Sequence, residues 1–149
     1  LNAHYNRGNI LSRLNRTEEA IFSYDNAIAI DANCVMAYNN RGLCFQKTGR
    51  LIKSMKDYDK ATAIDPDFVM AYNNLGNVLK YLNRPHDAIV SYKKAIAINP
   101  GYIKAYYNLS LCQLLIGDFN DGWKGYEYRW KDDEVKNNVG IRNWPMSDW

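Results

Sequence analysis

The chain of 149 residues contains no run of 18 apolar side chains, so nothing in it is long enough to cross a membrane as a helix. Charge of one sign is scarce as well. There are 19 basic and 16 acidic residues, and a net of +3 is too weak to argue for nucleic acid or an anionic membrane surface as partner. Cysteine is rare and odd in number: Cys34, Cys44 and Cys112 are widely spaced, which argues against a disulfide framework and for a reducing compartment such as the cytoplasm. The two histidines, His4 and His86, stand alone in their neighbourhoods, and no Cys/His cluster has metal-ligand spacing. No stretch alternates apolar with polar residues as a strand would, so no strand precedes a glycine-rich phosphate loop. No signal peptide is visible, and a chain that opens on Leu1 reads as an excised or processed piece. The balance, 47% hydrophobic and 23% charged, is that of an ordinary folded domain. No cofactor, metal or catalytic constellation is expected in it.

What is present is repetition. Stacked in rows of 34 (1–34, 35–68, 69–102, 103–136), the third place reads Ala3, Ala37, Ala71, Ala105 and the sixth Asn6, Asn40, Asn74, Asn108. The eighth reads Gly8, Gly42, Gly76, Ser110, and the twenty-fourth Tyr24, Tyr58, Tyr92, Tyr126. A fixed period of this length marks a stacked array of helical hairpins. Each row predicts one helix over about places 2–14 and a second over about 18–31. The break falls at Asn15, Gly49, Asn83 and Gly117, residues that tolerate the left-handed conformation closing a helix. Asp65-Pro66 and Asn99-Pro100 stop the second helix, and Asp31-Ala32-Asn33 is a weaker stop. Small residues at places 8, 20 and 27 let the two helices approach, and large ones at 4, 11, 24 and 28 fill the gaps. One such hairpin cannot bury its apolar faces alone, whereas stacked neighbours can. The expected fold is therefore all-α: a right-handed superhelical solenoid of four hairpins over 1–136, with a concave face lined mainly by first helices. Residues 137–149 follow as a capping or connecting tail.

These residues resemble the tetratricopeptide repeat, through Ala-Tyr-Asn-Asn-Leu-Gly (71–76), Asp-Ala-Ile (87–89), Tyr92, Ala95 and Ile-Asn-Pro (98–100). Arg7 and Arg41 depart from it, standing where the family more often has Leu. The fourth row departs further with Gly122, Gly125 and Arg129, and a helix-interior Gly costs about 1 kcal/mol relative to Ala. A second resemblance spans about 115–149. Gly117-Asp118-Phe119, Gly122-Trp123, Tyr126-Glu127 and Arg129-Trp130 look like the final repeat of bacterial proteins that join such an array to a glycosyltransferase domain. Those proteins are similar in layout to O-linked N-acetylglucosamine transferases. Arg142, Trp144, Pro145 and Trp149 resemble their connector, which implies a catalytic domain beyond Trp149.

Places 2, 5 or 6, 9 and 13 share one face of the first helix. In the family this face lines the groove. Place 6 is Asn in all four rows, and a side-chain amide matches the N–H and C=O of an extended peptide. First helices about 8–10 Å apart allow one rung per three residues of a chain advancing about 3.3–3.6 Å per residue. In the glycosyltransferases resembled, such a ladder holds the substrate backbone, and the resemblance gives Asn6, Asn40, Asn74 and Asn108 that role. Flanking selectivity is expected from Tyr5, Asn39, Asn73 and Tyr107 at place 5, Asn9 and Asn77 at place 9, and Arg13, Lys47 and Tyr81 at place 13. The carboxylate clamp of co-chaperone versions is not matched: rows 1–3 offer Tyr5, Asn9, Asn40, Met70 and Asn74, without its three cations. Asp57, Asp59, Glu18 and Glu19 read as charges on exposed faces, and Cys44 and Cys112, both at place 10, as small core residues. The expected function is non-catalytic recognition of an extended polypeptide, selecting substrates for an attached glycosyltransferase. The alternative is a scaffold that docks a folded partner or self-associates through its terminal hairpin.

Overall fold

The computed structural model describes residues 2–130, and all regular structure in that span is helical. Four hairpins follow one another: α1 (Asn2–Arg13) with α2 (Thr17–Ile30), α3 (Val35–Lys47) with α4 (Leu51–Ile64), α5 (Val69–Tyr81) with α6 (Pro85–Ile98), and α7 (Ile103–Leu115) with α8 (Phe119–Tyr126). A 3-10 turn, Glu127–Trp130, extends α8. The tail expected over 137–149, including Arg142, Trp144, Pro145 and Trp149, lies outside the described residues. No helix among the described residues is long and apolar enough to cross a membrane.

The helices end where the repeat places their punctuation, about one place earlier than the pattern suggests. Asn15 and Asn83 have φ of 57°, Gly49 of 72° and Gly117 of 83°, so all four residues at place 15 are left-handed. The weaker stop of the first row works as well as the prolines. Asp31, Asp65 and Asn99 each accept a bond from the backbone N–H two residues on (Asn33, Asp67 and Gly101, at 2.9, 3.0 and 2.9 Å). This side-chain turn is common to all three junctions and needs no proline. The last helix is the short one, 8 residues against 12–14 for the others. It is the helix that carries Gly122 and Gly125.

Within the first three hairpins the small place 8 receives the tyrosine of place 24, whereas Tyr126 of the fourth is only half-buried, beside Tyr107 and Trp123. A Cβ added to Gly8, Gly42 or Gly76 would sit 2.5, 2.8 or 2.5 Å from the ring of Tyr24, Tyr58 or Tyr92. These three rings are fully buried, with Ala20, Ala27, Ala37, Ala61, Ala71, Ala88, Ala95 and Ala105 around them, and Cys44 and Cys112 are buried too. Each second helix also packs on the next first helix, so the core is a ribbon running the length of the array. Consecutive first helices come within 8 Å of each other at their Cα atoms, while consecutive second helices among the described residues do not. The first helices therefore form the inner, concave side of the curve.

Candidate functional site

The concave face is built on the buried tyrosines. Each lies under its own first helix, and its hydroxyl bonds a residue that lines the groove. Tyr24 donates to Asn9 Oδ1 at 2.9 Å and Tyr92 to Asn77 Oδ1 at 2.8 Å. The second row has Leu43 at place 9, so Tyr58 reaches past it to Gln46 Oε1 at 3.5 Å. Burial pushes all three phenols well above the usual tyrosine range. They are neutral donors at any physiological pH, and they fix the amides of Asn9 and Asn77 with oxygen inward.

A second set of bonds runs between hairpins. Asn74 Nδ2 donates to Asn39 Oδ1 at 3.0 Å, and Asn108 Nδ2 donates to Asn73 Oδ1 at 3.0 Å. Asn39 Nδ2 passes on to Asn40 Oδ1 at 3.0 Å. Asn40 Nδ2 then donates to Asn9 Oδ1 at 3.0 Å and to the Tyr5 hydroxyl at 3.3 Å. Place 5 of the preceding row accepts where it is Asn; in the first row it is Tyr5, and the bond divides between Tyr5 and Asn9.

This geometry corrects the expected ladder. Asn40, Asn74 and Asn108 each point an amide donor at the preceding hairpin; Asn40 has both N–H groups and its oxygen engaged, while Asn74 and Asn108 commit one N–H to the relay. Asn39 and Asn73, expected to flank a ligand, are only 3% and 4% exposed and serve as acceptors inside the solenoid. A buried amide must find partners within the protein, and the neighbouring hairpin supplies them. Asn6 is exposed and takes no part in the relay. Tyr107 is half-buried beside the Tyr126 ring, 5.7 Å between centroids. The end face of the first hairpin is open: Ile10 is 58% exposed, while Cys44, Val78 and Cys112 at the same place are buried.

Several of the expected residues come together, Asn40 and Asn74 among them. A depression of about 350 Å³ between α1 and α3 is lined by Tyr5, Asn9, Arg13, Asn40 and Lys47, with Ser12, Tyr24 and Leu43. The next one, about 450 Å³ between α3 and α5, is lined by Lys47, Asn74, Asn77 and Tyr81, with Leu43, Gln46, Gly49 and Leu51. Lys47 and Leu43 belong to both, so the two form successive stations along one groove. Arg13, Lys47 and Tyr81 are exposed, and no acidic side chain lines either depression. Sequence reasoning missed Ser12 and Gln46. Both are at place 12, three residues after place 9, and that spacing was the available signal.

A further correction concerns Asp57, which is 6% exposed and not on a solvated face. Arg41 clamps it with Nε at 2.8 Å and Nη2 at 2.7 Å, and bonds Asp25 of α2 through Nη1 at 2.6 Å. Burial pushes the Asp57 carboxyl up, and Arg41 only partly offsets it. Burial also opposes the charge on Arg41, but its bonds to Asp57 and Asp25 outweigh that and hold the guanidinium protonated. No group of His, Cys, Asp and Glu among the described residues could hold a metal ion.

Comparison with solved structures places the same architecture elsewhere. MamA is 23% identical, with a TM-score of 0.81 over 91% of this chain and 79% of that one. The first TPR of Spaghetti (RPAP3), bound to an HSP90 peptide, is 18% identical with a TM-score of 0.75 over 77% of this chain and 91% of that one. YrrB, described as a TPR protein with an unusual peptide-binding site, is 20% identical with a TM-score of 0.75 over 94% and 78%. Comparison with curated proteins gives no match. The tetratricopeptide repeat model matches residues 1–34, 35–68 and 69–102, and a second model of that repeat matches 91–124. With three consecutive copies matched and the hairpin stack observed, this chain belongs to the tetratricopeptide repeat family.

Proposed function

We propose that this chain is a non-catalytic module that binds an extended polypeptide along its first helices, and that the ligand is acidic. The observation that carries the reading is the pair of linked depressions with Lys47 between them and no anion in either lining. The hydrogen-bonding rungs are Asn9 and Asn77, not the place-6 asparagines. Their oxygens are held by Tyr24 and Tyr92, which leaves the amide N–H groups pre-oriented to donate to a ligand carbonyl. Arg13 and Lys47 meet ligand carboxylates, and Leu43, Leu51 and Tyr81 supply apolar contact. Two neutral bonds contribute about 0.5–1.5 kcal/mol each, so the cations must supply most of the selectivity. Two solved structures that share the fold, one bound to an HSP90 peptide and one described as having an unusual peptide-binding site, are consistent with this use of the groove.

The experiment is a selection of peptides from a random library displayed on phage, followed by titration of the selected peptides. Asp and Glu are expected to be enriched. Lys47→Glu is expected to weaken the selected peptides at least about tenfold, the equivalent of 1.4 kcal/mol, and Asn77→Ala by a smaller factor. Peptides without acidic enrichment, or affinities indifferent to both substitutions, would sink the proposal. A substrate-selecting role beside a glycosyltransferase domain rests on the resemblance of residues 115–149. The same selection bears on it, because acceptor Ser or Thr would recur among the bound peptides.

A further inference from the structure

The opposite side of the array carries a different feature, visible by comparing one repeat with the next. In the second hairpin, place 7 is Arg41, and its guanidinium is seated between Asp25 of α2 and Asp57 of α4. One repeat on, place 7 is Leu75 and place 23 is Ser91, but place 25 still carries a carboxylate, Asp59, where the earlier repeat has Asp25. The first helix supplies no guanidinium here, and the Leu75 that replaces it is buried. A hollow of about 300 Å³ remains, lined by Met55, Asp59, Leu75, Leu79, Asp87 and Ser91. Arg84, just before α6, also lines it: its guanidinium bonds Asp87 at 2.7 Å and meets Met55 Sδ at 3.9 Å, and its charge favours the ionised form of Asp59 without pairing with it. Among the described residues, Asp59 has no ion-pair partner within 4.0 Å.

We propose that this hollow receives an arginine side chain presented by a protein partner, seated as Arg41 is seated one repeat earlier. The floor is apolar, with Leu75 and Leu79 buried, and suits the alkyl stem. Asp59 meets the guanidinium. Ser91 donates its hydroxyl to the Asp87 carbonyl at 3.1 Å, so its lone pairs remain to accept. Arginine fits better than lysine because a planar fork can reach two acceptors at once, as Arg41 does. The site is on α4, α5 and α6 and shares no lining residue with the groove, so it stands or falls separately from the peptide reading.

The test titrates N-acetyl-arginine methylamide into the isotope-labelled chain and follows backbone amide signals by NMR. Saturable shifts are expected around Asp59, Leu75 and Ser91, with the lysine counterpart weaker and the glutamine counterpart silent. Asp59→Asn is expected to raise the dissociation constant about tenfold or more. Leu75→Arg places a guanidinium in the seat from within. It is expected to raise the melting temperature and to abolish the shifts. Absence of saturable shifts at these amides overturns the assignment. So do equal responses to arginine and glutamine probes, an unchanged constant in Asp59→Asn, or a lowered melting temperature in Leu75→Arg.

Discussion

Asparagine serves two ends in this chain, and its neighbours decide which. At place 9 a tyrosine hydroxyl holds the oxygen and leaves the nitrogen facing the groove; at place 6 the nitrogen turns to the preceding hairpin. The substitution Asn74→Ala would leave Asn39 Oδ1, 3% exposed, without its donor. Stranding a buried acceptor costs about 1–3 kcal/mol. Urea denaturation is therefore expected to show a loss in that range, against about 0.5 kcal/mol or less for Asn6→Ala, which breaks no relay bond. Equal stabilities for the two variants would mean that the relay contributes nothing. Four asparagines in register were legible in the sequence, but their role was not. A side-chain amide suits a ligand backbone and a neighbouring amide equally well, and repetition by duplication would preserve either. The burial of Asn39 and Asn73 was hidden because the end rows carry Tyr5 and Tyr107 at the same place.

At the scale of the helices, most of what matters could be read in advance. The left-handed residues at place 15 and the fit of Tyr24, Tyr58 and Tyr92 against glycine follow directly from the aligned rows. The charge cluster joining α2, α3 and α4 did not. Helical periodicity assigns Asp57 to the outside, and only the simultaneous change of Leu to Arg at place 7 and Ser to Asp at place 23 betrays an internal pair. Removing one member of such a pair costs about 3–5 kcal/mol, whereas exchanging both for packed apolar groups is often neutral or stabilising. The double variant Arg41→Leu, Asp57→Ser imports the pair found in the third repeat. Its stability is expected within about 1 kcal/mol of the parent, while Asp57→Ser alone falls several-fold further. A double variant as damaged as the single one would show that the cluster has no interchangeable substitute. The short α8 has a local cause as well. Gly122 lies where a Cβ would meet the Leu114 side chain at 2.7 Å, so close packing excludes the better helix formers.

Across the whole molecule, stability rests on phenols and thiols that must stay neutral. Tyr24, Tyr58 and Tyr92 have their folded pKa raised by burial, and the same cause raises the thiols of Cys44 and Cys112. A group raised in the folded state contributes its full stabilisation below its unfolded pKa and loses it as pH climbs towards the folded one. The loss therefore begins near pH 8.5 for the thiols and near pH 10 for the phenols, each costing about 1.4 kcal/mol per pH unit. Denaturation curves are expected to be nearly flat from pH 6 to about 8 and to collapse above about pH 10. Tyrosinate absorbance should then rise together with unfolding for the buried rings. Smooth ionisation of every tyrosine near pH 10 in an intact fold would contradict this. The relay between hairpins also has a sense of direction, since each bond runs from a later donor to an earlier acceptor. The two middle modules both begin Val-Met-Ala-Tyr-Asn-Asn and carry the same donor and acceptor amides, so within this relay alone they are interchangeable. The outer modules carry a phenol where the middle ones carry the acceptor amide, and neither could be moved inward without rewriting a seam.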